Sequence, residues 1–276
     1  MNINQIVAAM GVPADDAIQT VQTAYRMQLA KHWEIQPGMR ILEVGCGQGD
    51  MTAVLADAVG PNGVVEAYDI ASPDYGAPTT IGQAQAQIAA GPLGKQVHAH
   101  LASYVTTAIT AFKPDYFDAL VIAHAAWYFP NVGAFTALLE TLAPYVKQIL
   151  LAEWSLVTTN VQQNGHLLSA LIQSEFAVTH PELAENIRTL ITSEQLTPVL
   201  HKLGFETTTD ILPTPHMQDG AWEIDTALHE MKPRIMGDDD LSAPERQRFA
   251  VLFATLEAQA DRKQALNAFV ITAKRS

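Results

Sequence analysis

The segment Ile41–Asp50, ILEVGCGQGD, constrains the fold of this chain more strongly than any other feature of the sequence. An apolar run predicts a buried strand over Arg40–Val44. Gly45, Gly47 and Gly49 follow at alternate positions, and a helical pattern begins directly after them. Glycines let a backbone approach a ligand closely, and a helix N-terminus offers free N–H donors. The segment therefore predicts a strand, a turn that can hold a small molecule, and a helix.

Strands and helices alternate along most of the chain. One predicted strand, Tyr116–His124, is almost entirely apolar after Asp118, which is typical of a central strand in a parallel sheet. The alternation predicts an α/β fold with right-handed crossover connections. The predicted strands are Arg40–Val44, Val64–Ile70, Val97–Leu101, Tyr116–His124, Gln148–Trp154, Phe205–Ile211 and Ala268–Ala273.

A single domain of 276 residues is expected, with helical segments inserted around the sheet. Long insertions of this kind often cover a functional site. A helical pattern also runs over Pro181–Leu190. The predicted helical segments are an N-terminal cap at 1–35 and insertions at 157–182 and 214–262. The sheet and its flanking helices take 37–156, 183–213 and 264–276.

Charge and cysteine content exclude several classes of protein. There are 29 acidic residues against 16 Lys and Arg, a formal net charge of −13, which argues against binding to nucleic acid or to an anionic membrane. A single cysteine, Cys46, excludes a disulfide framework, and His98 and His100 lack a third metal ligand. The first residues carry no positively charged leader, and the most apolar stretch is shorter than the ~20 residues of a membrane span. A cytoplasmic protein without a metal is expected.

An acid close to the glycine segment points to an adenosine ligand. Asp69 ends the second predicted strand, 20 residues after Gly49, where a carboxylate can accept hydrogen bonds from ribose hydroxyls. The Gly-x-Gly-x-Gly spacing differs from the Gly-x-Gly-x-x-Gly of dinucleotide sites. Between Ile41 and Gly94 the chain has six acids and no Lys or Arg, which favours a cationic ligand over a pyrophosphate. S-Adenosylmethionine, with a sulfonium and an ammonium group, is such a ligand.

The segment Glu43–Gly49, EVGCGQG, resembles the first motif of the class I S-adenosylmethionine-dependent methyltransferases. The resemblance is specific over 37–130 and extends by layout over 148–213 and 264–276. It implies a Rossmann-like, seven-stranded mixed sheet of order 3-2-1-4-5-7-6 with an antiparallel last strand and helical lid insertions. It also implies S-adenosylmethionine as the cofactor.

The same resemblance implies which residues would bind the cofactor. The three loop glycines would face its methionyl and ribose parts, Glu43 its ammonium side and Asp69 its ribose. The family often has an adenine-binding acid after the third strand, where this chain has Leu101, Ala102 and Ser103. Ser103 or the backbone of Ala102 would then take that role. The predicted cofactor-binding residues are Glu43, Gly45, Cys46, Gly47, Gly49, Asp69, Ile70, Ala102, Ser103 and His124, with Cys46 interpreted as a small structural residue.

Methyl transfer from a sulfonium is a one-step displacement, so alignment in a dry pocket matters most and a base is needed only for a protonated acceptor. His124, at the end of the fourth predicted strand, is a candidate base or orienting group, or a strand-end histidine bonded to the backbone. Glu153 could receive a proton, bind an amine or cap a loop. The aromatic residues predicted to bind substrate are Tyr25, Trp33, Trp127, Tyr128, Trp154 and Trp222, each of which could instead be a core residue.

Together these features predict transfer of a methyl group from S-adenosylmethionine to a small apolar or aromatic molecule by direct displacement. Two alternatives stay open at this point. The fold can bind the same cofactor and assist a non-methylating reaction, or it can be an NAD-dependent oxidoreductase. The expected partners are a small-molecule acceptor and, as an open alternative, a second copy of the chain in a homodimer. Nucleic acid and membrane partners are not expected.

Overall fold

Seven strands form one mixed sheet in the computed structural model, which describes residues 1–183 and 185–275. Their order is β3-β2-β1-β4-β5-β7-β6. The first five strands are parallel, and β7 runs antiparallel to both β5 and β6. The predicted fold class, strand order and antiparallel last strand are confirmed. The strands are β1 Arg40–Val44, β2 Val64–Tyr68, β3 Val97–His100, β4 Ala119–Ala123, β5 Gln148–Trp154, β6 Phe205–Leu212 and β7 Ala268–Arg275.

The central strand β4 is shorter at both ends than the predicted strand Tyr116–His124. Phe117 makes only an isolated bridge to Val146. At the other end, His124 takes a left-handed backbone conformation with φ 53°, which turns the chain out of the sheet. The strand therefore ends at Ala123, and His124 opens the loop above the carboxyl edge of the sheet.

Helices cover both faces of the sheet and its carboxyl edge. Asp16 caps α2 by accepting a hydrogen bond from the backbone N–H of Gln19 at 2.7 Å, as the helix start requires. Ser242 and Glu245 form a capping box at the start of α11. A π-helical stretch spans Thr226–Met231. The helices are α1 Ile3–Ala9, α2 Ala17–His32, α3 Asp50–Val59, α4 Ile81–Ala90, α5 Val105–Ala108, α6 Val132–Leu142, α7 Asn164–Thr179, α8 Ser193–Lys202, α9 Asp219–Asp225, α10 Lys232–Met236 and α11 Ala243–Glu257.

Two hydrophobic clusters stabilise the molecule. The larger one packs helices against the sheet and includes the N-terminal helices α1 and α2. The smaller one lies among α7, α9, α10 and α11 and contains Phe176, Ile224, Phe249 and Phe253. The two later helical insertions therefore share a core of their own. Whether they count as separate parts of a single domain stays a prediction.

The predicted helix over Pro181–Leu190 is wrong. Residues 181–183 and 185–190 form turns and irregular chain, and Ala184 lies outside the described residues. The backbone N–H groups of Arg188 and Thr189 both donate to the carbonyl of Trp127. Those tertiary bonds use donors that a helix would need for itself, so the segment follows the surface of the core instead.

No helix within residues 1–183 and 185–275 combines the length and the apolar character that crossing a membrane requires.

Candidate active site

The three loop glycines have different structural reasons to be glycine. All three have positive φ, at 80°, 49° and 93° for Gly45, Gly47 and Gly49. A Cβ on Gly45 would lie 2.4 Å from Cβ of Ala125, and one on Gly49 would lie 2.4 Å from Cδ1 of Ile88. A Cβ on Gly47 would meet no atom within 4 Å. Packing requires glycine at the first position, packing and positive φ together favour it at the third, and the middle one borders open space.

The end of β2 holds the glycine loop in place. The backbone N–H groups of Gly45 and Cys46 donate to the carbonyl of Tyr68 at 2.9 and 3.2 Å. The carboxylate of Asp69 accepts from the N–H of Gly47 at 2.9 Å and from that of Ala71 at 2.8 Å. Asp69 thus holds the glycine loop in place even without a ligand, and its contact with a ribose stays a prediction.

Glu43 places a buried carboxyl group beneath the loop. It is 2% exposed and accepts a hydrogen bond from the hydroxyl of Thr52 at 2.7 Å. Burial raises the pKa of Glu43 to about 7, with Thr52 and Arg26 acting against the rise and Asp50 and Asp69 adding to it. The group therefore changes charge close to neutral pH, and a nearby cation would favour its ionised form.

Two further polar residues of this region, Arg26 and Gln85, carried no recognisable signal in the sequence, whereas Cys46 was expected there. Arg26 of α2 brings a positive charge towards Glu43 and lies 4.0 Å from Asp50. Gln85 of α4 donates to the carbonyl of Gly47 at 2.9 Å, while its own buried carbonyl has no partner within the described residues. Cys46 is buried, and burial raises the pKa of its thiol, which agrees with the structural role expected for it.

The residues predicted to contact adenine lie together near the end of β2. Ser103 donates its backbone N–H to the carbonyl of Asp69 at 3.0 Å, and Ala102 donates to Ala71 at 2.9 Å. Ala102 has φ 50°, an uncommon conformation for a residue with a Cβ. Ile70 is exposed. The structure brings these residues to one place. The contact of Ala102 or Ser103 with adenine and that of Ile70 with the cofactor stay predictions.

His124 links three elements of the fold through its ring. Its backbone N–H donates to the carbonyl of Ala152 at 2.8 Å, which fixes the turn after β4. Nε2 lies 2.8 Å from the hydroxyl of Tyr25 in α2, and Nδ1 lies 3.3 Å from Oε1 of Glu153 in β5. The ring centre of Trp154 lies 4.3 Å from that of His124. The two predicted catalytic residues therefore meet, together with Tyr25.

Glu153 both caps the loop after β4 and orients His124. It is 2% exposed. Its Oε2 accepts from the backbone N–H groups of Ala126 and Trp127 at 3.0 and 3.3 Å, and its Oε1 accepts from that of Trp154 at 3.0 Å. Three donors on one buried carboxylate fit its acceptor-only ionised form. The loop-capping interpretation of Glu153 is thus correct, and the contact with His124 adds an orienting role.

Two of the six predicted substrate-binding aromatics lie against the ring of His124, and two others are exposed. Tyr25 and Trp154 are almost buried and lie against the ring of His124. Tyr128 and Trp222 are 53% and 44% exposed. Buried and exposed aromatic faces of this kind can form the wall and the mouth of a pocket, and contact with substrate stays a prediction.

The other two, Trp33 and Trp127, are buried in the larger core. The indole N–H of Trp127 donates to the carbonyl of Ile191 at 3.2 Å. That of Trp33 has no partner within the described part of the chain. Core packing accounts for both positions, so they are the weakest of the predicted substrate contacts.

Helix α9 adds a polar edge that the sequence interpretation missed. Asp219 accepts a hydrogen bond from Gln22 of α2 at 3.1 Å, and Glu223 accepts one from Gln173 of α7. Burial raises the pKa of Glu223. The charge of Asp219 acts on Tyr25, so this edge lies near the buried phenol of Tyr25. Two acids four residues apart on one helix face were the available signal.

Comparison with known proteins gives the family. The model of the Protein-L-isoaspartate(D-aspartate) O-methyltransferase (PCMT) family matches residues 6–102. The crystal structure of a cyclopropane-fatty-acyl-phospholipid synthase-like protein from Lactobacillus casei is 36% identical, with a TM-score of 0.86 over 99% of this chain and 100% of that chain. The chain belongs to the class I S-adenosylmethionine-dependent methyltransferase superfamily. The predicted superfamily is confirmed, and S-adenosylmethionine is the cofactor of that superfamily.

Two curated methyltransferases of the superfamily match part of the chain. Methyltransferase phomM' of Diaporthe leptostromiformis is 30% identical over 172 residues, which cover 54% of this chain and 43% of that protein. Nocamycin O-methyltransferase of Saccharothrix syringae is 32% identical over 158 residues, 54% of this chain and 52% of that protein. The chain thus spans about half the length of the curated relatives it matches.

Proposed function

We propose that this chain transfers the methyl group of S-adenosylmethionine to a small molecule by direct displacement. The observation that carries the proposal is the open space beside Gly47. It lies in a loop whose other two glycines are closely packed, above a buried carboxyl group and beside a carboxylate at the end of β2. A ligand with an adenosine part and a positive charge fits that combination.

The residues of the loop region suit the cofactor chemically. Glu43, Asp50 and Asp69 make the surroundings negative, which favours a sulfonium and an ammonium group. Arg26 supplies an opposite charge near the start of α3, where it can pair with the carboxylate of the methionyl part. The backbone N–H groups in the first turn of α3 add donors on the same side.

When bound, S-adenosylmethionine supplies a methyl group on a positively charged sulfur, which is a good leaving group. The chain itself has to orient the acceptor, exclude water and receive a proton where the acceptor carries one. Trp154 and Tyr25 keep the His124 ring away from solvent. Glu153 holds that ring in one orientation. These four residues are the proposed acceptor side of the site.

The acceptor is proposed to be small and largely apolar or aromatic. Support comes from Trp154, Tyr128 and Trp222, whose rings offer flat apolar surfaces. The polar side chains of Gln22, Asp219, Gln173 and Glu223, which form two hydrogen-bonded pairs, support an acceptor that also carries a hydrogen-bonding group. Residue identities around the site do not favour RNA or DNA, which would need clustered Lys and Arg. A homodimer and a cytoplasmic location stay predictions.

Thermal denaturation with added ligands tests the cofactor. S-Adenosylmethionine and its demethylated product should each raise the melting temperature, and NAD should not. A shift with NAD alone would support the oxidoreductase alternative and contradict the proposal.

Label transfer tests the reaction. With methyl-labelled cofactor and a small-molecule extract, the label should move to a low-mass product. If the protein consumes a compound while the label stays on the cofactor, the non-methylating alternative is correct instead.

A further inference from the structure

The nitrogen of His124 that would act as a base already has a partner. Nε2 lies 2.8 Å from the hydroxyl of Tyr25, a side chain that is 4% exposed. Nδ1 faces Glu153 at 3.3 Å. An acceptor that gave its proton directly to His124 would first have to displace Tyr25 from a buried hydrogen bond. That arrangement raises the question of which atom receives the proton.

The surroundings of Glu153 determine the direction of each hydrogen bond. Glu153 already accepts three backbone N–H groups, so the His124 atom that faces it is Nδ1–H. In a neutral imidazole the other nitrogen, Nε2, then has a free lone pair. The hydroxyl of Tyr25 must donate to that lone pair, and the phenolic oxygen keeps its own lone pairs. Among the described residues, no other hydrogen bond to that oxygen is present.

We propose, on the basis of the function proposed above, that the phenolic oxygen of Tyr25 receives the acceptor's proton and that Tyr25 passes its own proton to His124. The acceptor oxygen forms a bond to the methyl carbon while the bond from that carbon to sulfur breaks, and the electron pair leaves with sulfur. The acceptor proton moves to the oxygen of Tyr25, and the former Tyr25 proton moves to Nε2. His124 ends as a cation beside the carboxylate of Glu153, so charge and atoms balance.

Tyr25 suits a relay better than an independent base. Burial raises the pKa of Tyr25, with Glu153 and Asp219 adding to the rise and Arg26 opposing it. The phenol therefore keeps its proton in the resting enzyme, and it can take a new proton only by releasing the one it has. His124 receives that proton. The carboxylate of Glu153 lies 3.3 Å from its Nδ1, and the other titratable neighbour, His166, has a pKa that burial lowers.

The relay also defines the acceptor more narrowly. A neutral amine attacks with its own lone pair and loses a proton afterwards, whereas a neutral hydroxyl is a weak nucleophile until its proton leaves. A buried relay at the acceptor side is therefore useful for a hydroxyl. The relay assigns a neutral O–H group to the acceptor and an O-methylated product to the reaction.

The matched variants Tyr25→Phe and Tyr116→Phe test the relay. Each removes one phenolic oxygen and keeps the ring, but Tyr116 packs on Arg40 at the amino end of the sheet, far from His124. With methyl-labelled cofactor and a small-molecule extract, Tyr25→Phe should transfer label ~100-fold more slowly at pH 7. Its rate should recover as pH rises and the acceptor ionises by itself. Tyr116→Phe should keep the wild-type rate and pH profile.

A second measurement reads the proton position without an acceptor. Nitrogen-15 NMR of the histidine rings, assigned with His124→Gln, should show His124 protonated on Nδ1 and not on Nε2 at pH 8. Tyr25→Phe should move the Nε2 signal, and Tyr116→Phe should leave it unchanged. A proton on Nε2 would overturn the relay.

The outcomes separate the relay from the function on which it depends. If the wild-type protein transfers no label to any small molecule, the proposed function fails. If it transfers label and Tyr25→Phe is equally fast or faster at pH 7, the function stands and the relay is wrong. Label recovered on nitrogen or carbon would overturn the hydroxyl acceptor.

Discussion

The two sides of the proposed site are built in different ways. The cofactor side is a short continuous loop, shaped by glycine backbone conformations and held by the end of the neighbouring strand β2. The acceptor side is assembled from side chains of distant segments, since Tyr25 and His124 are 99 residues apart and His124 and Glu153 are 29 apart. The comparison shows that a single site can have one side shaped by the backbone of a short segment and another shaped by side chains that lie far apart in the sequence.

Blocking the loop should have the largest effect on this comparison. Gly47→Val would fill the open space beside the loop. We expect the affinity for S-adenosylmethionine to fall more than ~100-fold, which corresponds to a loss of about 2.7 kcal/mol of binding free energy. Calorimetric titration measures it. Gly38→Val is the matched control, because Gly38 also has positive φ and an open Cβ direction but precedes β1. Equal affinity in the two variants would contradict the cofactor placement.

Removing the ring of His124 should separate the two sides. His124→Ala deletes the proton acceptor of the relay while the glycine loop stays intact, so turnover should fall ~100-fold and cofactor affinity less than about threefold. Steady-state rates and calorimetric titration give the two numbers. Wild-type turnover would remove His124 from the mechanism, and an equal loss of affinity would show that the two sides are not separable.

His166, whose ring centre lies 5.2 Å from that of Trp154, should make folding sensitive to acid. Leu266 donates its backbone N–H to Nδ1, and burial lowers the pKa of His166 to about 3. In the unfolded chain His166 has a pKa of about 6.5. Below that pH it binds a proton in the unfolded chain but not in the folded protein, so the free energy of unfolding decreases as the pH is lowered. His166→Asn should reduce this loss by about 2 kcal/mol between pH 7 and 5. Denaturant titrations at both pH values measure the difference.

Glu43 is present in both wild type and His166→Asn. Its raised pKa makes folding more stable as the pH falls, and this contribution cancels when the two proteins are compared. If both proteins lose the same stability between the two pH values, His166 is not the group responsible.

Glu43 should give the smallest effect, on the cofactor side. Its pKa of about 7 in the free protein means that it ionises as pH rises through neutrality. A cationic ligand favours the ionised form, so cofactor affinity should increase up to about tenfold from pH 6 to 8. Glu43→Gln should lose that dependence. Glu66→Gln is the matched control, because it removes a carboxyl group that pairs with His98 and His100, and it should keep the pH dependence of cofactor affinity. If affinity in the wild type does not change with pH, the proposed role of the Glu43 charge is wrong.

The backbone-defined half of the site was largely predictable from sequence. Glycines at Gly45, Gly47 and Gly49 and the apolar strand Arg40–Val44 are local patterns, and the structure has both where they were expected. Strand ends were less predictable, because the turn at His124 depends on its bond to Ala152 in the next strand.

The side-chain half could be anticipated only as a set of candidates. The sequence indicated Tyr25, His124 and Glu153 separately, but nothing in it places a residue of α2 against the end of β4. Arg26 gave no motif, and the two acids of α9 gave only their four-residue spacing, since the partners of all three lie on other helices. The wrong helix at Pro181–Leu190 has the same origin, because bonds to Trp127 replaced local ones.

The close approach of Gly45 to Ala125 has a mechanical consequence. These two residues leave no room for a side chain between them, and Ala125 directly follows His124 in the chain. In a closely packed interior a shift of one surface displaces the surface that touches it. The glycine loop and the turn at His124 therefore form one packed unit, and we expect a ligand that shifts the loop to shift the turn as well.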